Sequence, residues 1–263
     1  VPTSSPTPIL RDKRALLFFG LGAFLLCNAV VAELIGVKLF QLEEVLGLPK
    51  ADFGLFGTEH LSFRLSIGVL AWPAVFLVTD LVNDYFGVRG VRLVTFTTTA
   101  LIAISFAVMG LAIAAPPDRA WWITSNAANG VPDMQAAFAA IFGQSRNIIV
   151  GSLCAFLLSQ FADAFVFRAF KRATGERRIW LRATGSTLIS QLVDSLAVTW
   201  VAFALLGTMP FAEATALALT AYVYKFLVAV VSTPLIYLAH AAIERWLGAE
   251  EAAQLRQDAL AGR

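Results

Sequence analysis

The chain has 263 residues, of which 58% are hydrophobic and only 14% charged, and its net charge is +2. Soluble domains carry about 25% charged and about 45–50% apolar residues, whereas this chain, with a mean hydropathy of +0.73, repeats apolar runs of about twenty residues, the length that crosses a hydrocarbon core roughly 30 Å thick. A soluble enzyme, a disordered protein and a secreted disulfide scaffold all fit poorly, and the fold class is all-α, a polytopic membrane protein.

The basic residues lie between apolar runs, so no nucleic-acid partner is implied. Cys27 and Cys154 sit inside apolar runs and read as packing residues without a disulfide or metal framework. In chain order, residues 1–14 form a basic tail and six spans follow at 15–40, 62–85, 91–115, 146–170, 184–207 and 214–243. The first is too long for a signal peptide, carries Glu33 and Lys38, and lacks a small-x-small cleavage site. Long continuous runs without alternation exclude a barrel. Pro73 and Pro234 are expected to kink spans two and six.

The 1–2 connection is acidic, with Glu43, Glu44, Asp52 and Glu59. The 3–4 connection, 116–145, contains Trp121-Trp122 and an amphipathic stretch from Asp133 to Phe142, and reads as an interfacial anchor or a lid. Fourteen Lys and Arg fall on the side of both termini and four on the other, which places both termini in the cytoplasm. The membrane domain is expected over 15–246, with 247–263 as a fraying cytoplasmic tail without chemistry.

Ionisable groups within spans cost about 2.5–3.5 kcal/mol each on insertion scales, so each needs a reason. Span one holds Asn28, Glu33 and Lys38; span two Asp80, Asn83 and Asp84; span four Gln160 and Asp163; span five Gln191 and Asp194; span six Tyr222, Tyr224 and Lys225. Asp80, Asn83 and Asp84 share one helix face. Residues 158–165, Leu-Ser-Gln-Phe-Ala-Asp-Ala-Phe, are echoed at 189–196 by Ile-Ser-Gln-Leu-Val-Asp-Ser-Leu. Three Asp-bearing faces and one Lys can thus meet in a common interior, as a polar cavity or as a structural ion-pair network. Asp84 is equally placed to pair with Arg89 or Arg92, and Glu33 and Lys38 to reach the outer interface.

No HExxH, Walker loop or GxSxG is present, and His60 and His240 lie on separate elements, so neither an enzyme nor a metal site is expected. An intramembrane aspartyl protease would need a Gly-x-Gly-Asp type of site, which is lacking. An Asp-rich interior suits a planar, nitrogen-rich ligand: a carboxylate accepts from two adjacent donors while Trp72, Phe76, Phe161, Phe165 or Trp200 stacks on the ring. Core packing explains most of those aromatics.

The segment Pro73-Ala-Val-Phe-Leu-Val-Thr-Asp-Leu-Val-Asn-Asp-Tyr-Phe-Gly87 resembles the signature of the YhhQ-type queuosine precursor transporters, the vitamin uptake transporter (VUT) family. So do Ser159 to Phe167, the basic 4–5 segment ending in Trp180-Leu181, and Gly185 to Asp194, in order over roughly 15–243. The resemblance implies a six-helix bacterial inner-membrane importer of 7-cyano-7-deazaguanine and its aminomethyl relative, a purine-like small molecule, with no cofactor. It carries over Asn28, Thr79, Asp80, Gln160, Asp163, Gln191, Asp194 and Lys225 as substrate-binding positions, to which Phe76 is added as a stacking ring. Asn83, Asp84, Glu33 and Tyr222 match less securely; the family more often has Glu at position 84. Proton-coupled and facilitated transport both fit, as does a homodimer packed through the small residues at 136–140. The rival readings are a substrate-capture subunit of an energy-coupling-factor vitamin transporter and a membrane scaffold or intramembrane enzyme.

Overall fold

The computed structural model describes residues 12–36, 38–143, 146–174, 179–205 and 209–261. Asp12 opens the first helix, its carboxylate accepting from the amides of Arg14 and Ala15 at 2.8 and 3.3 Å. Helix α1, Lys13–Ile35, then runs through uninterrupted apolar sequence.

The acidic 1–2 connection is built from strands. β1 (Leu39–Gln41) pairs antiparallel with β4 (Arg64–Ser66), setting Phe40 opposite Leu65, and β2 (Phe53–Leu55) pairs with β3 (Thr58–Leu61). A one-turn helix, α2 (Leu42–Val45), presents Glu43 to both ends of the connection. Burial opposes the charged form of Glu43, but its carboxylate accepts from the amides of Phe63 and Ala51 and from the Gln41 side chain, at 3.0, 3.2 and 2.9 Å. The hydrogen bonds win and lower its pKa from 4.5 to about 2. A carboxyl whose folded pKa lies below its unfolded one stabilises fully above the unfolded value and loses that contribution as pH falls through the folded one. Acidification from about 4.5 to about 2 is therefore expected to loosen residues 39–66 selectively. Hydrogen exchange at the Phe63 and Ala51 amides checks this, and Glu43→Gln should abolish the acid dependence.

Span two does not begin at residue 62, as expected, because the chain is still extended there. The Ser66 hydroxyl donates to the Gly36 carbonyl at 2.7 Å and accepts from the Gly68 amide at 3.2 Å, turning the chain into a 3₁₀ turn over Ile67–Leu70. Helix α3, Trp72–Ala114, then starts with Pro73 in its first turn, where a missing N–H removes no intrahelical bond. Pro73 is thus a start signal and not the expected kink.

A straight 43-residue helix would be about 65 Å long, twice the thickness of a hydrocarbon core. Instead α3 breaks at Gly87, whose φ of 65° and ψ of −170° are non-helical. Val75, Val78 and Val82 before the break and Val91, Val94 and Ile102 after it share one core cluster with Leu25 and Ala29 of α1. The two halves coincide in sequence with the expected spans two and three, and by length and composition the whole of α3 counts as one candidate span.

After α3, Asp133 caps the short helix α4, Met134–Phe142, and Gln135 donates to the Ile113 carbonyl at 2.9 Å, tying α4 to the end of α3. Helix α5 is Arg146–Thr174; α6, Ile179–Thr199, widens into a π turn at Trp200–Ala204; α7 is Phe211–Leu247 and continues through Pro234. Among the described residues, α1, α3, α5 and α7 contain stretches long and apolar enough to cross a membrane, and the apolar part of α6, Leu188–Ala204, is shorter. Much of the basic 4–5 segment, including Arg177 and Arg178, lies outside the described residues.

The C-terminal segment is the helix the sequence suggests, α8, Ala249–Ala261, but it is docked on the bundle and does not fray. Ala252, Leu255 and Ala259, spaced three and four apart, are buried, and Ala252 and Leu255 pack in a cluster with Leu17, Leu81, Tyr85 and Ile243. Arg14 Nε reaches Glu251 at 2.8 Å and Arg256 Nη1 reaches Glu244 at 2.6 Å. Small residues at every turn of a polar helix do not register as hydrophobic, which hid this face in the sequence.

Gly87 is where α8 meets α3. Its positive φ disfavours a side chain, and a Cβ there would sit 2.8 Å from the Ala259 carbonyl oxygen. Gly87→Ala is expected to cost about 1–3 kcal/mol through backbone strain and to undock α8, seen as a lower thermal midpoint and faster proteolysis after Leu247.

Candidate functional site

Two helices face each other across a cleft. On α3, Trp72, Pro73, Phe76, Leu77 and Asp80 fall on one face by helical spacing, and on α7 the stripe Lys225, Ala229, Ser232 and Ile236 opposes them. The small Ala229 and Ser232 leave room between bulkier neighbours, and Gln191 of α6 and Tyr224 complete the walls. The cleft encloses about 460 Å³ counted out to its mouth. The α3 wall carries the aromatic rings and the Asp80 carboxylate, and the opposite wall a carboxamide and an ammonium, from Gln191 and Lys225.

The polar groups continue inward from this cleft across α3, α5 and α6. The Thr79 hydroxyl lies 2.9 Å from Val75 O and 2.8 Å from Gln160 Oε1, and its single proton serves one of them at a time. Ser190 of α6 donates to Asp163 Oδ1 of α5 at 3.1 Å, so the two echoed motifs are bonded to each other. Lys225 Nζ pairs with Asp194 Oδ2 at 2.6 Å. Behind that pair, Glu33 of α1 accepts from the Ser152 hydroxyl and interacts electrostatically with Asp194.

Gln160 is fully buried and Gln191 is 3% exposed, yet Gln160 Nε2 and Gln191 Oε1 have no hydrogen-bond partner among the described residues. A buried amide group left without a partner costs about 1–3 kcal/mol on mutational scales.

Of the residues singled out from sequence, Phe76, Asp80, Gln191 and Lys225 line the cleft, and Thr79, Gln160, Asp163 and Asp194 extend the network from it. Others lie elsewhere. Asn28 bonds back to Phe24 O at 2.9 Å on its own helix. Tyr222 stacks near Phe226, with ring centroids 6.4 Å apart, and does not line the cleft. Its place is taken by Tyr224, adjacent to Lys225 on the same stripe. Of the candidate stacking rings, Trp72 and Phe76 line the cleft, whereas Phe161 packs on Phe96, Trp200 on Phe211, and Phe165 is 76% exposed.

Asn83 and Asp84 belong to a second cluster beneath α8. Asn83 Nδ2 donates to Ala164 O at 3.3 Å. Asp84 does not take the expected arginine partners: its Oδ1 pairs with Lys171 Nζ at 2.6 Å, with side chains 0% and 4% exposed. Lys171 also donates to Asp84 O at 3.0 Å, and His240 Nε2 stands 3.7 Å from Asp84 Oδ2. The other ring nitrogen of His240 lies 2.9 Å from the Tyr85 hydroxyl. Sequence reasoning counted Lys171 with the loop charges. No local spacing signals it, because the pairing is set by how α5 crosses α3. Among the described residues no group of three or more His, Cys, Asp or Glu side chains is arranged to hold a metal.

Residues 66–239 match the family described as putative vitamin uptake transporter, which covers every helix that forms the cleft. The chain belongs to this family. Over 183 residues it is 31% identical to the probable queuosine precursor transporter of Bacillus subtilis, covering 69% of this chain and 74% of that one. It is 28% identical over 144 residues to the queuosine precursor transporter of Escherichia coli, covering 54% of this chain and 57% of the relative. No solved structure matches. Membership makes this chain a multi-pass membrane transporter and not an enzyme.

Proposed function

We propose that this chain imports 7-deazaguanine precursors of queuosine across a bacterial inner membrane, through a six-helix bundle with both termini cytoplasmic. The observation that carries this reading is the cleft in which Trp72, Phe76 and Asp80 of α3 face Gln191 and Lys225. A deazaguanine has a flat π face and an edge with two adjacent N–H donors beside a carbonyl oxygen. A carboxylate such as Asp80 accepts from both donors, and such charge-assisted pairs are roughly twice as strong as neutral hydrogen bonds. Gln191 or Lys225 supplies the donor for the carbonyl oxygen, and the rings stack on the heterocycle. The substrate in the names of the two relatives supports this ligand class.

Passage would occur by alternating exposure of the one central site. The four long spans, with α3 counted twice across Gly87 and α6 added, make six crossings, and the Arg- and Lys-rich ends set the orientation. Purified chain in vesicles without any ATPase is expected to accumulate labelled 7-cyano-7-deazaguanine saturably. Binding without uptake would instead identify a substrate-capture subunit that needs a motor, and no binding would refute the reading.

A further inference from the structure

We propose that the elbow of α3 is a binding site for a phosphate group, built from Arg89, Arg92 and Arg168. The three arginines line one cavity of about 700 Å³, counted to its open mouth, whose opposite wall is the end of α8 at Ala259 and Ala261. Arg89 and Arg92 stand one turn apart at the start of the second half of α3, and Arg168 comes across from α5.

None of the three makes a hydrogen bond or an ion pair with a described residue. Three acids of the surrounding helices are paired elsewhere: Asp84 with Lys171, Glu244 with Arg256, and Glu251 with Arg14. Arg168 Nε is moreover buried without a hydrogen-bond partner. Three like charges around one cavity repel one another, and a buried guanidinium N–H without an acceptor is costly. Both penalties vanish when an anion with several acceptor oxygens enters.

Gly87 and Val88 line the cavity at the break in α3. The far wall offers only alanine side chains, which leave volume and bring no competing carboxylate. Arginine matches phosphate oxygens in a planar, bidentate fork, which favours phosphate over a halide. Such a group arrives either as the headgroup of an anionic lipid, at the level where basic pockets between helices meet the bilayer, or as free phosphate. Bound there, it would join both halves of α3 to α5.

The test uses the purified full chain. Its thermal midpoint and ligand affinity are measured with inorganic phosphate against chloride at matched ionic strength, and in phosphatidylcholine bilayers with and without phosphatidylglycerol. The midpoint is expected to rise with a phosphate-bearing probe, and each Arg→Gln change at Arg89, Arg92 or Arg168 should weaken binding about tenfold, the loss of one charge-assisted contact. Arg245→Gln, an exposed arginine at the end of α7, should leave the response intact. A response to phosphatidylglycerol alone assigns a lipid headgroup, and a response to inorganic phosphate assigns a free phosphate. Absence of any response, or an equal response in the wild type and in exposed Arg92→Gln, overturns the site; Arg92→Gln lies on the surface, so this comparison does not depend on a core variant folding.

Discussion

Lys171→Ala is expected to be among the most destabilising single changes in the molecule, costing about 3–5 kcal/mol, because it leaves a buried carboxylate without its ammonium. Asp84 is fully buried, its Oδ1 is 2.6 Å from Lys171 Nζ, and the same ammonium also donates to the Asp84 carbonyl at 3.0 Å and to the Arg256 carbonyl at 3.4 Å. One side chain therefore ties α3, α5 and α8 together. His240, 3.7 Å from the other carboxylate oxygen, can take up part of the charge, which puts the expected loss at the low end of that range. The paired change Asp84→Leu with Lys171→Met should recover most of the stability, since two apolar side chains of similar volume carry no desolvation penalty. Thermal midpoints of the three variants in one detergent decide the matter. A Lys171→Ala midpoint equal to that of the wild type would show that the pair does not hold the helix ends together.

The second large effect is on transport. Asp80→Asn replaces a carboxylate that can accept from two adjacent donors with an amide that has one acceptor, and loss of a charge-assisted pair worth about 3 kcal/mol reduces affinity roughly 100-fold. Uptake of 7-cyano-7-deazaguanine at low concentration should fall accordingly while the protein still inserts and keeps its thermal midpoint within a few degrees. Asp194→Asn should impair uptake too, by releasing Lys225 from its 2.6 Å partner and so misplacing an ammonium that lines the cleft. Tyr222→Phe should transport normally, because Tyr222 stands off the cleft beside Phe226. Normal uptake by both aspartate variants would remove the cleft from the transport path.

Much of this arrangement was legible in the chain. The echoed Ser-Gln-x-x-Asp motifs were readable as two similar helix faces, and their direct bond, Ser190 to Asp163, follows from placing those helices side by side. Periodicity likewise put Asp80, Asn83 and Asp84 on one face, since i, i+3 and i+4 positions adjoin on any helix. Three features were hidden for physical reasons. The strand pairs of residues 39–66 rest on three- and four-residue segments, too short for a period-2 pattern to emerge, and their stability is concentrated in the hydrogen bonds to Glu43. The docking of α8 depends on alanines whose small size permits close approach, which hydropathy does not measure. The choice of Lys171 over Arg89 or Arg92 as partner of Asp84 depends on how α5 crosses α3, a tertiary relation that no local spacing contains. The break at Gly87 stood in between: two spans were readable around it, but the positive φ that turns one into the next is visible only in the backbone.

The central claim is tested most directly in a bacterium that can neither make nor import queuosine precursors, expressing this chain alone and fed 7-cyano-7-deazaguanine at low concentration. Queuosine should reappear in its tRNA, and should disappear again when Asp80 is changed to Asn. Unmodified tRNA, with the protein verified in the membrane, would contradict the assignment of a deazaguanine to the cleft between α3 and α7.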